Sequence, residues 1–259
     1  MVYLPMEIWI NGHKLYVEDH GPEDGPVLIL LHQGLGAVRS WREQTPVLAE
    51  AGYRVIVYDR WGYGGSDPRL SLSMPYFEDD LDDLSSLLDY LKIERLSMIG
   101  HSDGGTIALY FAARHPEMVV SLVTIAAHVY IEEKMKPGID GLKEIYETDS
   151  KFRQKLQRAH GKKWKQVFKN WYDGWVREDI LSWDMRTLLK NIRCPVLVVQ
   201  GLEDKHATPK HAQDVALAIP DAQLWLVPGA GHLLQQEDAE LFNERLLEFL
   251  KSWVMESDR

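Results

Sequence analysis

The order of apolar segments predicts an α/β fold, a mostly parallel sheet with helices on both faces. Two observations carry it. Apolar runs recur at Val27–Leu31, 55–58, 96–100, Val119–Ile125, 196–200 and 224–227; strands that read as near-continuous runs, not as an alternation, are covered on both faces. Between them lie stretches with helical spacing of apolar residues, at 45–51, 75–91, 104–115, 209–219 and 239–253. Strands that alternate with helices pair in parallel, because a helix is the usual crossover between parallel neighbours.

Two segments depart from that rhythm. Residues 6–10 and 14–19 alternate in polarity and flank Asn11-Gly12, a pair that accepts the positive φ of a tight turn, so the chain opens with an antiparallel hairpin. Residues 130–191 contain no apolar strand run, while Trp164, Trp171, Trp175 and Trp183 crowd together there. This stretch reads as a helical cap inserted after the sixth strand of the main sheet, with 1–129 and 192–259 forming the core. The tryptophans serve as an apolar lid over a substrate, as the cap's own core, or as both. Residues 134–193 hold 15 Lys and Arg against 8 Asp and Glu, a local excess of 7 positive charges in a chain whose net charge is −10. Those cations either lie solvated on exposed helix faces, the favoured reading, or draw in substrates with an anionic end.

Composition narrows the function. With 259 residues, 45% of them hydrophobic, the chain has ample core for a large domain. A net charge of −10 argues against a nucleic-acid partner, since affinity for phosphate backbones depends on Lys and Arg. Cys194 is the sole cysteine, which excludes an intrachain disulfide and a thiolate metal cluster and fits a reducing compartment. The N-terminal residues lack the basic and apolar regions of a signal peptide, and no window approaches 18 apolar residues. The expectation is a soluble cytoplasmic protein, without a membrane span, that acts on a small molecule.

The chemistry concentrates at Gly100-His101-Ser102-Asp103-Gly104, where a strand runs directly into a helix. In this G-x-S-x-G arrangement the turn is so tight that residues two before and two after the serine must be small, and the strained turn exposes the hydroxyl. The helix that follows points its N-terminal N–H groups at the same place, which favours developing negative charge. A glycine-rich turn without function has the same pattern, so the partners decide. A serine hydroxyl needs a base, and the base needs an orienting acid. Asp204 follows the strand run at 196–200 and His232 follows the run at 224–227. Both therefore sit past the carboxyl ends of strands, where ligands bind in parallel sheets. Glu203 is the rival acid, and His206 and His211 are rival bases that share a segment with the acid.

A tetrahedral intermediate requires N–H donors for its oxyanion. One candidate is the backbone of Asp103; the second comes from the loop His32-Gln33-Gly34-Leu35-Gly36, with Gly34 preferred and Gln33 behind it. The Asp103 side chain either caps the following helix, the favoured role, or faces the pocket.

These features together resemble the α/β-hydrolase family over essentially the whole chain. The resemblance rests on the 32–36 loop followed by Ser40-Trp41, the stretch from Tyr58-Asp59-Arg60 to Ser66-Asp67, the serine elbow, the loop from Gly201 to Asp204, and Gly231-His232. It implies an eight-stranded core sheet and hydrolysis without metal or organic cofactor. The family commonly has His-Gly at the start of the oxyanion loop, whereas Gln33 stands here. The 59–67 loop looks structural. The expected activity is hydrolysis of a carboxylic ester. Cleavage of a carbon–carbon bond in a ring-fission product and ligand reception without catalysis are the alternatives on the same scaffold. Haloalkane dehalogenation fits less well, because it places Asp where Ser102 stands.

Overall fold

The structure, a computed structural model, describes residues 3–254. Its strands are β1 (Tyr3–Ile10), β2 (His13–His20), β3 (Val27–Leu31), β4 (Arg54–Asp59), β5 (Leu96–His101), β6 (Val119–Ile125), β7 (Val196–Gly201) and β8 (Ala222–Val227). They form one eight-stranded sheet in the order β1-β2-β4-β3-β5-β6-β7-β8. β2 pairs antiparallel with both β1 and β4, and the neighbours from β4 onward are parallel. The expected hairpin closes at Asn11 (φ 51°) and Gly12 (φ 88°), with Ile10 opposite His13.

The helices are α1 (Thr45–Glu50), α2 (Glu78–Leu91), α3 (Asp103–Arg114), α4 (Met135–Thr148), α5 (Ser150–His160), α6 (Trp164–Val176), α7 (Arg186–Leu189), α8 (Pro209–Ala218), α9 (Leu234–Glu237) and α10 (Ala239–Val254). α4 to α7 lie between β6 and β7, in the stretch read as an insertion. The expected start of α2 at Pro75 moves to Glu78, because Phe77 adopts a left-handed conformation (φ 53°) that a helix cannot include. Its first turn then carries Glu78, Asp79 and Asp80, which favour the positive end of the helix dipole.

Both faces of the sheet are covered, which accounts for the continuous apolar runs. Along β3, Leu28 and Leu30 point to one side, into a cluster with Leu48, Phe242, Leu246 and Phe249. Ile29 and Leu31 point to the other, among Leu84, Leu87, Ile107 and Phe111. Each such fully buried side chain contributes roughly 1.5–3 kcal/mol, so a polar residue on either face of β3 is excluded. Cys194 is buried near the start of β7, and burial pushes its thiol up to about 12. Among the described residues no helix is long and apolar enough to cross a membrane.

Candidate active site

One residue, Ser102, makes the turn between β5 and α3. It holds φ 53° and ψ −119°, a strained conformation of the kind that raises a nucleophile above the sheet edge. Backbone contact dictates the glycines around it: a Cβ on Gly100 would overlap the Gly104 carbonyl, and one on Gly104 would overlap the Leu31 carbonyl. The turn is fastened by Ser102 N–H to the Ile125 carbonyl (2.8 Å) and Thr106 N–H to the Ser102 carbonyl (3.0 Å).

Asp204 and His232 meet across two loops. His232 Nδ1 lies 2.8 Å from Asp204 Oδ2, and the Asp204 side chain is fully buried. Its other contacts come from the His206 N–H (2.8 Å), the Ala207 N–H (3.3 Å) and Gln200 Nε2 (2.9 Å). Burial alone would raise the Asp204 carboxyl; the hydrogen bond and charge of His232, followed by these donors, hold it well below the usual carboxylate range. Nδ1 of His232 therefore donates to the carboxylate, and Nε2 keeps the lone pair a base requires. Ser102 and His232 line one cavity.

Glu203 and His206 line the same cavity but make other contacts, and His211 lies outside it. Glu203 is exposed at the cavity wall, with its N–H on the Ala230 carbonyl. His211 accepts from the Val129 N–H (3.3 Å) and stacks on Tyr130. The His206 ring stands 4.9 Å from that of His232, centroid to centroid, and is not bonded to the acid through its side chain.

The 32–36 loop, expected to serve an oxyanion, is held from beneath. Arg60 N–H donates to His32 Nε2 (3.1 Å), so the His32 proton sits on Nδ1, which donates to the Gln33 carbonyl (2.7 Å). Gly36 N–H donates to the same oxygen (3.1 Å). A trans peptide points its C=O and N–H in opposite directions, so fastening the Gln33 oxygen also fixes the Gly34 N–H. Gly34 lines the cavity and permits no Cβ, which would strike the Trp171 indole and lie 2.6 Å from Asp103 Oδ2. Among the described residues, the amides of Gly34 and Asp103 donate to no protein acceptor.

The expected cap role of the Asp103 side chain is corrected. No side chain caps α3; the Asp103 carboxyl is 1% exposed, with Oδ2 3.7 Å from Arg60 Nη2. Arg60 is already bonded to Asp80 (3.0 Å), which also holds Arg69 (2.9 Å), and Arg69 reaches Asp79. Two guanidiniums thus face three carboxylates, and Asp103 Oδ2 has no hydrogen-bond partner. Burial pushes the Asp103 carboxyl up to about 6, with Arg60 opposing.

The cavity encloses about 770 Å³ and is bounded by Trp171, Trp175, Ile139 and Leu156 from α4 to α6 on one side and by the serine elbow on the other. Three Lys of that segment pair outward with Asp or Glu four residues on: Lys136–Asp140, Lys143–Glu147 and Lys169–Asp173. Among the described residues no group of three or more His, Cys, Asp and Glu is arranged to hold a metal ion.

Two further features escaped the sequence. His101 accepts from Gln235 Nε2 at Nδ1 (2.7 Å) and donates from Nε2 to the His232 carbonyl (2.7 Å), fixing the loop that carries His232. The 59–67 loop is the surface on which α5 and α6 dock, through His160 and Lys163. Neither pattern has a spacing signature, since each partner lies about a hundred residues or more away in the chain.

Residues 26–156 match the family model described as the alpha/beta hydrolase fold, and the chain belongs to that family. It is 27% identical over 250 residues to the human serine hydrolase BPHL, covering 95% of this chain and 86% of that one. With the bifunctional esterase/perhydrolase DCH of Acinetobacter calcoaceticus it shares 28% identity over 275 residues, 93% of this chain and 98% of the other. Similarity extends to the 2-hydroxy-6-oxo-6-phenylhexa-2,4-dienoate hydrolase of Burkholderia cepacia, at 26% over 270 residues, 93% and 92% of the two chains.

Proposed function

We propose that this protein hydrolyses carboxylic esters through an acyl-enzyme on Ser102. The observation that carries the reading is the hydrogen bond of His232 to the buried Asp204 carboxylate, in a cavity shared with a serine on a strained elbow. Ser102 Oγ attacks the carbonyl carbon as His232 Nε2 takes its proton, and the Asp103 and Gly34 amides hold the oxyanion. Collapse breaks the C–O bond, and His232 returns the proton to the leaving alcohol. Water then attacks the acyl-enzyme, giving its proton to His232, and the carboxylic acid departs as Ser102 is regenerated. Residues 130–191 serve as the cap that shields these steps from solvent.

Asp103 refines the substrate class. A buried carboxylate on the cavity wall, whose guanidinium neighbour Arg60 stands 3.7 Å away and is shared with Asp80, is complementary to a positively charged donor. Because Asp103 adjoins the nucleophile, that donor belongs close to the scissile carbonyl, as in an ester with a free amine beside it. Cleavage of carbon–carbon bonds remains the competing reading, supported by similarity to the Burkholderia cepacia hydrolase.

The test is a substrate panel with Ser102→Ala as control. Amino-bearing esters should be turned over in preference to their N-acetylated forms and to a vinylogous diketone, and Ser102→Ala should lower kcat/KM by about 10³-fold or more with unchanged circular dichroism. Faster turnover of the diketone favours the carbon–carbon reading. Failure of the folded protein to form a fluorophosphonate adduct overturns catalysis and favours a receptor.

A further inference from the structure

We infer that His160, contributed by the cap, is a positioning residue for the oxyanion loop, so that the hole is complete only while α5 is seated on the core. The inference rests on the ester-hydrolase reading above. His160 ends α5 and is 2% exposed. Its Nδ1 accepts the Gly64 N–H (3.0 Å) and its Nε2 donates to the Leu35 carbonyl (3.0 Å). Only a neutral ring with its proton on Nε2 satisfies both contacts.

Leu35 follows the proposed donor Gly34 and has φ 62°, a left-handed conformation that a leucine does not hold unaided. Three of the fastenings of this loop are now accounted for. His32 and Gly36 hold the Gln33 carbonyl from within the core, while His160 holds the Leu35 carbonyl from the cap. Release of His160 frees the strained residue and loosens the turn between Gln33 and Gly36, so that the Gly36 N–H lets go of the Gln33 carbonyl and the Gly34 peptide is held by His32 alone. The same helix presents Lys155, Leu156 and Ala159 to the cavity, so a substrate that presses α5 into place also completes the hole.

Lys163 provides the comparison. It too joins cap to core, by hydrogen bonds to the Tyr63 and Ser66 carbonyls, yet it does not touch the oxyanion loop. His160→Phe should lower kcat on an activated ester by about 10- to 100-fold, with KM changed less than about twofold, because a misplaced oxyanion donor costs up to about 10³ in rate. His160→Gln, which carries both an acceptor and a donor, should recover much of that loss. Lys163→Met should lower the melting temperature while kcat stays within about threefold.

Exchange of the amide hydrogens gives a readout independent of activity. In the unmodified protein the Gly36 amide should open together with the last turn of α5, and in His160→Phe it should exchange faster while β3 does not. Full kcat in His160→Phe, an equal loss in Lys163→Met, or Gly36 exchange independent of α5 in the unmodified protein would each overturn the assignment. Absence of ester turnover in the unmodified protein would instead overturn the proposed function, leaving the exchange test to decide the positioning role. Should His160→Phe fail to fold, the exchange measurement on the unmodified protein decides the matter.

Discussion

At the scale of single residues, the site depends on which protons its side chains hold. Asp103 illustrates the point, since burial lifts its carboxyl to about 6, within reach of ordinary assay conditions. As pH falls through that value the carboxylate is lost, so any preference it creates for a cationic ester must fade below about pH 6 and level off above it. Comparing kcat/KM for an amino-bearing ester and its neutral isostere as a ratio cancels any titration that acts on both substrates alike. Asp103→Asn keeps the backbone amide and should remove the pH dependence of the ratio, lowering it by about tenfold, the equivalent of roughly 1.4 kcal/mol. An unaltered ratio would mean that the carboxyl does not meet the substrate.

At the scale of elements, the decisive unit is β5–Ser102–α3, because its backbone approaches the end of β3 closely. Gly104 packs against the Leu31 and His32 carbonyls with no room for a methyl group. Gly104→Ala must therefore displace backbone, not the end of a flexible side chain, and overpacking of that kind costs typically 1–3 kcal/mol or more. The expected result is a lower melting temperature together with reduced acylation by a fluorophosphonate, because the elbow moves with the helix. Gly141, with open space around it, offers the contrast: Gly141→Ala lies within α4, and its higher helix propensity should stabilise slightly or leave stability unchanged.

At the scale of the whole molecule, buried neutral histidines make stability depend on pH. Burial lowers His128 to about 3 and His160, His206 and His211 to about 4. The unfolded chain binds protons at these rings near the ordinary value of about 6.5, whereas the folded protein resists them until about pH 4. Stability is therefore full above about pH 7 and falls as pH drops from 6.5 to 4, by up to about 1.4 kcal/mol per unit for each ring. Burial raises Asp59, Asp83 and Asp103, which act in the opposite sense over part of that range, but they stand against six rings, since His32 and His101 are lowered as well. Melting temperatures across pH 4–8 should show a plateau and then a steep acid limb; a flat profile would contradict the neutral assignments. The sequence by itself determined the order of strands and helices, the elbow, and the loops that carry Asp204 and His232, because periodicity, glycine placement and chain order are local signals. Tertiary structure alone decided that Asp103 faces Arg60 and not the end of α3, that His32 fixes the Gln33 peptide, and that His101 and His160 fasten the loops of the site. Those are contacts between residues that are mostly far apart in the chain, set by hydrogen-bond geometry and by the cost of burying a polar group without a partner, and no spacing in one sequence encodes them.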